Sequence, residues 1–143
     1  MRLELVKKTA NSAIYKDFAH SPSKLKATSS AMKKQFSNRK LVACMELHTF
    51  SSLNKKFLKE YKGSMDNPDT AIVYFSPKSL AHKKLEPITP EQVYAAFGRN
   101  DLLVFTDSEK LENHLNNLNW KNQNLLMMSS GTFDGMNLEN LIE

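Results

Sequence analysis

Short apolar runs alternate with segments of helical periodicity along most of the chain. Five runs are rich enough in apolar residues to predict buried strands, at residues 13–15, 41–45, 71–75, 102–105 and 125–128. Strands that alternate with helices at this spacing predict right-handed βα units and a mostly parallel sheet. The predicted fold class is therefore α/β, a Rossmann-like three-layer domain with about five or six strands and helices on both faces.

Capping signals between these runs predict where helices begin. Ser21 precedes Pro22, which is the pattern of an N-cap followed by proline at the first helical position. Thr89 and Gln92 form a capping box around another proline, and Gly98 is expected to end that helix. The helices should therefore begin directly after loops that follow strands.

The segment after the second run is expected to be a further helix, capped by Ser51 or Ser52. Leu53, Phe57 and Tyr61 would form its buried face. The remaining expectations are a loop at 77–87, a helix from Asp107 or Ser108, and a short last helix that holds Leu138, Leu141 and Ile142.

Composition limits the class of protein. A chain of 143 residues, 41% hydrophobic and 24% charged, suits one globular domain. Cys44 is the sole cysteine, which excludes an intrachain disulfide and a Cys-x-x-Cys zinc site. No apolar run approaches the ~20 residues of a membrane span, and the charged start does not resemble a signal peptide. We expect a cytoplasmic protein without a membrane partner.

Positive charge is concentrated in the first half of the chain. Residues 1–63 contain 14 Lys and Arg against 4 Asp and Glu, whereas residues 64–143 contain 6 against 11. This asymmetry indicates either an anionic partner or simply a solvated basic surface. Few aromatic residues accompany the basic residues, so a nucleic-acid partner is not expected.

Several standard catalytic motifs are absent from the sequence. It contains neither a Gly-x-x-x-x-Gly-Lys-Thr/Ser phosphate loop nor a Gly-x-Gly-x-x-Gly turn. It also lacks a Gly-x-Ser-x-Gly elbow and a His-x-x-x-His pair, so neither a hydrolase centre nor a metal site is expected. The chain alone does not have the residues of a complete catalyst.

Polar residues follow three of the predicted strands. These segments are residues 17–22, which include Asp17 and His20, residues 46–52, and residues 129–135. Ligands of open α/β sheets bind beyond the carboxyl ends of the strands, which makes these three segments candidate binding loops. The alternative for each is that its Asp, Ser and Thr residues only cap helices.

Four segments in order resemble motifs of the Mur ligases, the ATP-dependent amide ligases that build peptidoglycan precursors. Residues 17–22 resemble the Asp-(Tyr/Phe)-(Ala/Gly)-His-x-Pro motif that opens the C-terminal domain of that family. Residues 2–4 are similar to the Arg-(Leu/Phe)-Glu segment at the preceding domain junction. Residues 46–51 resemble the His loop of the alanine-adding branch, and residues 128–135 the Met-Ser-Asn-Gly-x-Phe-x-Gly segment of the murein-recycling branch.

The resemblance implies a domain organisation and an activity. Residues 1–12 would form the interdomain junction and first segment, and residues 13–143 the C-terminal domain that binds the acceptor and closes over ATP. The central ATP-binding and N-terminal UDP-binding domains would be absent from this chain, which would be inactive alone. The whole enzyme would use ATP and Mg²⁺, the metal held mainly by the central domain, to activate UDP-N-acetylmuramate as an acyl phosphate. An amine acceptor would then attack that acyl phosphate.

The same resemblance implies roles for individual residues. ATP-binding roles fall to Arg2 and Asp17; the acceptor pocket would consist of Phe18, His20, Ser21, His48 and Ser52; and Ser129, Ser130 and Gly131 would form a backbone loop for an anion.

The acceptor itself stays open between two molecules. The loop around His48 favours L-alanine, whereas residues 128–135 favour the tripeptide L-Ala-γ-D-Glu-meso-diaminopimelate. Leu47 and Ser52 stand where the alanine-adding branch has proline and arginine. An alternative to the ligase hypothesis is a stand-alone Rossmann-like nucleotide- or anion-binding or regulatory module.

Overall fold

In the computed structural model, which describes residues 3–142, the chain folds around one six-stranded sheet. The strands are β1 (Glu4–Lys8), β2 (Ala13–Asp17), β3 (Lys40–Leu47), β4 (Thr70–Phe75), β5 (Leu103–Phe105) and β6 (Gln123–Met128). The helices are α1 (Pro22–Gln35), α2 (Pro77–His82), α3 (Pro90–Phe97) and α4 (Ser108–Asn116), with 3-10 turns at Leu58–Tyr61 and Leu138–Asn140.

The strand order is β1-β2-β6-β3-β4-β5. β1 pairs antiparallel with β2, and every other pair in the sheet is parallel. This confirms the predicted α/β class and the mostly parallel sheet. The last strand along the chain, β6, lies between β2 and β3, so it separates the two strands that precede the first two candidate loops.

Apolar side chains pack on both faces of the sheet. One face is covered by α1, α2, α3 and the 3-10 turn at Leu58–Tyr61, through residues that include Leu25, Leu80, Val93 and Phe97. The other face is covered by α4 and the last described residues, through Leu111, Leu115, Trp120, Phe133 and Leu141. The predicted three-layer arrangement is confirmed, because each face buries its own hydrophobic cluster.

The helix ends follow the local chemistry of the sequence. At α3, Thr89 Oγ1 accepts the Gln92 N–H at 3.1 Å, and Gln92 Oε1 accepts the Thr89 N–H at 2.9 Å, which is a complete capping box. Gly98 ends this helix in the left-handed conformation at φ 68°. Of the helices within residues 3–142, none has the length and apolar character that a membrane crossing requires.

Two elements were not expected from the sequence. β1 lies within residues 1–12. The sequence shows no apolar run there, because β1 is an edge strand that is largely exposed and carries charged side chains. α2 replaces part of the predicted loop at 77–87. It has only six residues and one buried side chain, Leu80, so it is too short to show helical periodicity.

The prediction of a helix that begins at Ser51 or Ser52 and includes Tyr61 is wrong. The segment forms successive turns and only one 3-10 turn, at Leu58–Tyr61. Thr49 Oγ1 accepts the Ser52 N–H at 3.0 Å, and Asn54 Oδ1 accepts the Lys56 N–H at 2.8 Å. The Thr49 bond has the geometry of a cap on a single helical turn, whereas the Asn54 bond forms an Asx turn, which competes with continuation of the helix. The final helix is likewise only a 3-10 turn, which ends before Leu141 and Ile142.

Candidate functional site

Three loops from distant parts of the chain meet at the carboxyl edge of the sheet. They follow β2, β6 and β3, which are neighbours in the sheet, and they contain the residues predicted to bind ligands. The register aligns Asp17 at the end of β2 with Met128 at the end of β6, and Met128 also pairs with Met45 of β3. The Ser129 N–H donates to the Asp17 carbonyl at 3.0 Å. The strand order therefore places the three predicted loops side by side.

A cavity of about 590 Å³ opens at this edge. Five of the predicted residues line it, namely Asp17, Phe18, Ser129, Ser130 and Gly131. β1 contributes Glu4, Leu5 and Val6 to another part of the wall. The side chains of His20, Ser21, His48 and Ser52 lie outside this lining. The structure thus brings the proposed nucleotide residue Asp17 and the proposed anion loop into one concave surface.

The Asp17 carboxylate is tied to its surroundings through both oxygens. Oδ1 accepts the Phe18 N–H at 2.9 Å, and Oδ2 accepts the Thr28 hydroxyl of α1 at 2.9 Å. A carboxylate can accept about four hydrogen bonds, so Asp17 retains capacity for a ligand donor from the cavity. Its orientation is set by the protein before any ligand arrives.

The loop after Asp17 exposes an aromatic ring, and the hydroxyl of Tyr61 holds the loop in place. Phe18 is 69% exposed, which is unusual for a large apolar side chain. His20 Nδ1 lies 2.8 Å from the Phe18 carbonyl, and the His20 carbonyl accepts the Tyr61 hydroxyl at 2.7 Å. Burial raises the pKa of Tyr61 to about 12, so its hydroxyl keeps its proton and remains a donor at physiological pH.

Ser21 and Ser52, which were predicted to belong to the acceptor pocket, occupy positions in local backbone structure. Ser21 occupies the N-cap position of α1 in extended conformation, but its side chain makes no capping hydrogen bond. Ser52 is only 1% exposed, and its hydroxyl bonds both Thr49 Oγ1 and the Thr49 carbonyl, at 3.0 and 3.1 Å. The Ser52 side chain therefore stabilises its own turn and does not face a ligand in this conformation.

Sequence reasoning missed Glu46, which organises the loop after β6. Glu46 is 3% exposed at the end of β3, and its Oε1 accepts the Ser129 hydroxyl at 2.7 Å and the Phe133 N–H at 2.9 Å. Buried carboxylates are rare unless hydrogen-bonded, and here both donors come from the loop after β6. The signal was present in the sequence, because Glu46 is the one acidic residue between Leu41 and Leu47.

The imidazole of His48 lies between Glu46 and Gly131. Its Nδ1 is buried without a hydrogen-bond partner, 3.9 Å from Glu46 Oε2. A Cβ at Gly131 would come within 2.8 Å of the ring, so glycine is required for this close approach. The hydroxyl of Ser130 is also buried without a partner beside the cavity. His48 thus packs against the loop after β6, and residues of that loop line the cavity.

The loop after β6 contains three consecutive left-handed residues. Phe133, Asp134 and Gly135 have φ values of 53°, 57° and 80°. This conformation is costly for a bulky residue such as Phe133, and it persists only where the surroundings hold it. The Glu46 bond to the Phe133 N–H and burial of the Phe133 ring supply that restraint.

Arg2, the other residue expected to bind ATP, lies outside the described residues. Within residues 3–142, no group of three or more His, Cys, Asp or Glu side chains is arranged to hold a metal ion. The polar residues that line the cavity are Glu4, Lys16, Asp17, Ser129, Ser130, Thr132, Asn137 and Glu139.

Residues 1–131 match the family model described as "Mur ligase, glutamate ligase domain". A UDP-N-acetylmuramate–L-alanine ligase from a Sulfurihydrogenibium species is 30% identical over 118 residues, which are 81% of this chain and 26% of that relative. The corresponding enzyme of Caldicellulosiruptor bescii is 37% identical over 93 residues, 65% of this chain and 20% of that relative. The chain spans about a quarter or less of the length of these relatives.

Solved structures share the fold. A domain of a UDP-N-acetylmuramate:L-alanyl-γ-D-glutamyl-meso-diaminopimelate ligase from Haemophilus ducreyi superimposes with a TM-score of 0.65 at 22% identity, over 94% of this chain and 92% of that one. A murein peptide ligase from Psychrobacter arcticus gives 0.73 at 19% identity, over 98% of this chain and 30% of that one. At these identities, the likeness is one of fold.

Proposed function

The chain belongs to the Mur ligase family, as its glutamate ligase domain, and from this membership we propose that it is the closing domain of a cytoplasmic ligase. The complete enzyme joins L-alanine or a peptide to UDP-N-acetylmuramate in peptidoglycan biosynthesis or recycling. The observation that carries the proposal is the convergence of the three family-like loops at one edge of the sheet, where the loops after β2 and β6 line a cavity of about 590 Å³. The curated relatives, which are UDP-N-acetylmuramate–L-alanine ligases, make L-alanine the first acceptor to test.

In this proposal, residues 13–143 form the acceptor-binding domain, and residues 1–12 lead in from a central domain. ATP would be bound chiefly by that central domain and UDP by an N-terminal one, consistent with the short span of the relatives that this chain covers. ATP supplies the phosphate that activates the sugar acid as an acyl phosphate. Mg²⁺ would be held mainly by the central domain, as the resemblance to the family implies.

The residues described here would complete the nucleotide side of the cleft. Asp17 faces the cavity with free acceptor capacity, which suits a ribose hydroxyl or an adenine amine. By resemblance to the family motif, Arg2, which lies outside the described residues, would bind the phosphates. Lys24 and Lys26 of α1 add positive charge next to this loop, where an anionic ligand would approach.

The remaining residues would form the acceptor side. Phe18 offers an exposed ring, and His20 and His48 offer imidazoles on the two loops that flank β6. In the segment 129–131, the Ser130 hydroxyl is the group proposed to bind an acceptor carboxylate, because it has no partner while the Ser129 and Gly131 N–H groups are already hydrogen-bonded. Closure of the domain would align the amine with the acyl phosphate and exclude water, which otherwise hydrolyses it.

The stand-alone binding module is the less favoured hypothesis, because the match to the ligase domain covers residues 1–131. Calorimetric titration separates the two hypotheses. We expect ATP and UDP-N-acetylmuramate to bind the 143-residue chain weakly or not at all, since most of each site lies on other domains. Tight binding of either ligand would support the stand-alone module.

The activity itself is tested with the full-length parent enzyme. Phosphate release from ATP should require UDP-N-acetylmuramate together with either L-alanine or the tripeptide L-Ala-γ-D-Glu-meso-diaminopimelate. The acceptor that gives the higher kcat/KM identifies the branch. No phosphate release with either acceptor would contradict the substrate assignment.

A further inference from the structure

Glu46 uses its two oxygens for different tasks. Oε1 accepts two hydrogen bonds from the loop after β6, from the Ser129 hydroxyl and the Phe133 N–H. Oε2 accepts neither and lies 3.9 Å from the buried Nδ1 of His48. The carboxylate therefore joins the loop that lines the cavity to the imidazole on the neighbouring loop.

This arrangement decides which nitrogen of His48 carries hydrogen. A carboxylate oxygen facing Nδ1 favours a hydrogen on that atom, because two lone pairs in contact would repel each other. In the neutral ring, the lone pair is then on Nε2. The His48 side chain is 37% exposed and only its Nδ1 is buried without a partner, which leaves Nε2 as the accessible nitrogen.

The position of the ring is also restrained. Gly131 contacts it so closely that a Cβ there would be 2.8 Å from Cγ and Cδ2. Gly131 is in turn held through its N–H, which donates to Ser129 Oγ at 2.7 Å, and Ser129 donates to Glu46. The Glu46 carboxylate thus acts on His48 in two ways. Through Ser129 it holds Gly131, which packs against the imidazole, and its Oε2 faces Nδ1.

We propose that Glu46 is a positioning residue that holds His48 with hydrogen on Nδ1 and a lone pair on Nε2, so that Nε2 accepts a proton from the incoming amine. The inference rests on the proposed ligase function for its chemical step. The separation of 3.9 Å is longer than a hydrogen bond, and such contacts commonly shorten when substrate binds.

In the proposed step, loss of a proton from the amine is coupled to its attack on the acyl phosphate. The acceptor ammonium transfers one proton to His48 Nε2 and keeps the electron pair of that N–H bond. The freed pair forms the new N–C bond to the acyl carbon, while the C–O bond to phosphate breaks and its electrons stay on the phosphate oxygen. The second proton of the nitrogen passes to the departing phosphate, so the products are a neutral amide and hydrogen phosphate. The imidazolium then releases its proton to water, and no proton is transferred to Glu46.

The first test measures the tautomer in the 143-residue chain itself. Long-range ¹H–¹⁵N spectra at about pH 8, where ordinary histidines are neutral, distinguish the two neutral forms. His48, identified by its missing signals in His48→Gln, should be the Nδ1–H form. His20 is an internal reference for that form, because its Nδ1 lies against a carbonyl acceptor. An Nε2–H form of His48 would overturn the proposal.

Glu46→Gln should reverse the tautomer without releasing the loop. Its amide oxygen must face Ser129 and Phe133, because both are donors, so the amide NH₂ faces His48 Nδ1 and makes that atom an acceptor. His48 should then change to the Nε2–H form while His20 is unchanged. Glu91→Gln, which removes an exposed charge on α3, should leave both histidines as they are. An unchanged His48 in Glu46→Gln would refute the role of Glu46.

The second test uses the full-length enzyme. We expect His48→Gln to lower kcat by about 10²- to 10⁴-fold, as for loss of a general base, and Glu46→Gln by about 10- to 100-fold, with KM for ATP unchanged. Retained kcat with only a raised KM for the acceptor would contradict the proton-transfer role. If the wild-type enzyme shows no acceptor-dependent turnover, the proposed function fails, whereas the tautomer measurement still decides the role of Glu46.

Discussion

Gly131 is a residue whose lack of a side chain has a clear steric reason. The imidazole of His48 occupies the space that a Cβ would need, with Cγ and Cδ2 at 2.8 Å and Nδ1 at 3.0 Å. Real Cβ atoms do not approach other heavy atoms so closely, so an alanine would displace the ring. Glycine here permits contact between two loops.

Gly131→Ala should therefore destabilise the domain only while His48 is present. We expect a loss of about 1–3 kcal/mol in the free energy of unfolding, the usual cost of overpacking. In a His48→Ala background, the same change should cost much less, giving a coupling energy of about 0.5–3 kcal/mol. Urea unfolding of the four chains in this cycle measures the coupling. Equal costs of Gly131→Ala in both backgrounds would contradict the contact.

Asp17 combines a structural bond with a proposed ligand role, and two variants separate them. Asp17→Ala leaves the Thr28 hydroxyl buried without a partner, so we expect a loss of about 1–3 kcal/mol in stability. The domain should remain folded, but the full-length enzyme should require more ATP for half-maximal rate. Urea unfolding and the KM for ATP measure the two effects.

Thr28→Val is the matched control for Asp17→Ala. It removes the same hydrogen bond and keeps the shape of the side chain, while leaving the carboxylate in the cavity wall. Its KM for ATP should stay close to that of the wild type. An equal rise in KM for both variants would mean that Asp17 acts only by holding α1.

At the scale of elements, the two helix N-caps that the sequence predicts most clearly differ in their hydrogen bonds. Thr89 forms a reciprocal capping box at α3, whereas the Ser21 side chain makes no capping bond at α1. Thr89→Ala should lower the free energy of unfolding by about 1 kcal/mol, and Ser21→Ala should change it by much less. Thermal or urea unfolding measures both. Comparable losses for the two variants would contradict this difference.

The elements that sequence patterns predicted well are those with strong local signals. Strands buried on both faces appear as continuous apolar runs, and α3 carries a capping box and a terminal glycine. The exposed edge strand β1 and the six-residue α2 lack such signals. In residues 51–61, helical spacing of apolar residues was misleading, because the Asn54 side chain bonds the Lys56 N–H locally instead of leaving it to a helix.

At the scale of the whole molecule, Asp69 links three elements. It lies directly before β4, and its carboxylate accepts the Leu41 N–H of β3 at 2.8 Å and Lys33 Nζ of α1 at 2.7 Å. Desolvation by itself would raise the pKa of Asp69, but these hydrogen bonds and the charges of Lys33 and Lys40 outweigh it. The pKa is therefore below its usual value of 3.8.

This shift predicts how stability depends on pH. The folded protein binds the Asp69 proton more weakly than the unfolded chain, so the ionised group stabilises the fold fully above about pH 4 to 5. That contribution is lost as the pH falls through the lower pKa of the folded state. The difference in unfolding free energy between wild type and Asp69→Asn should be constant near neutral pH and shrink at acid pH. A difference that does not vary between about pH 7 and pH 3 would contradict the linkage.

The sequence by itself determined the α/β class, most strands and the segments that form the site. The apolar runs and capping signals are local, and the ligand-binding segments of such sheets directly follow the strands. Asp17, Phe18 and residues 129–131 could be predicted in this way, and all of them line the cavity.

Only the tertiary structure decided how these segments meet. Insertion of β6 between β2 and β3 brings together residues more than 80 positions apart, and no local pattern encodes which strands become neighbours. For the same reason, the partners of Glu46, the contact between His48 and Gly131, and the burial of Ser52 were not predictable. Side-chain contacts across a parallel sheet depend on strand order and register, and those are set when the whole core packs.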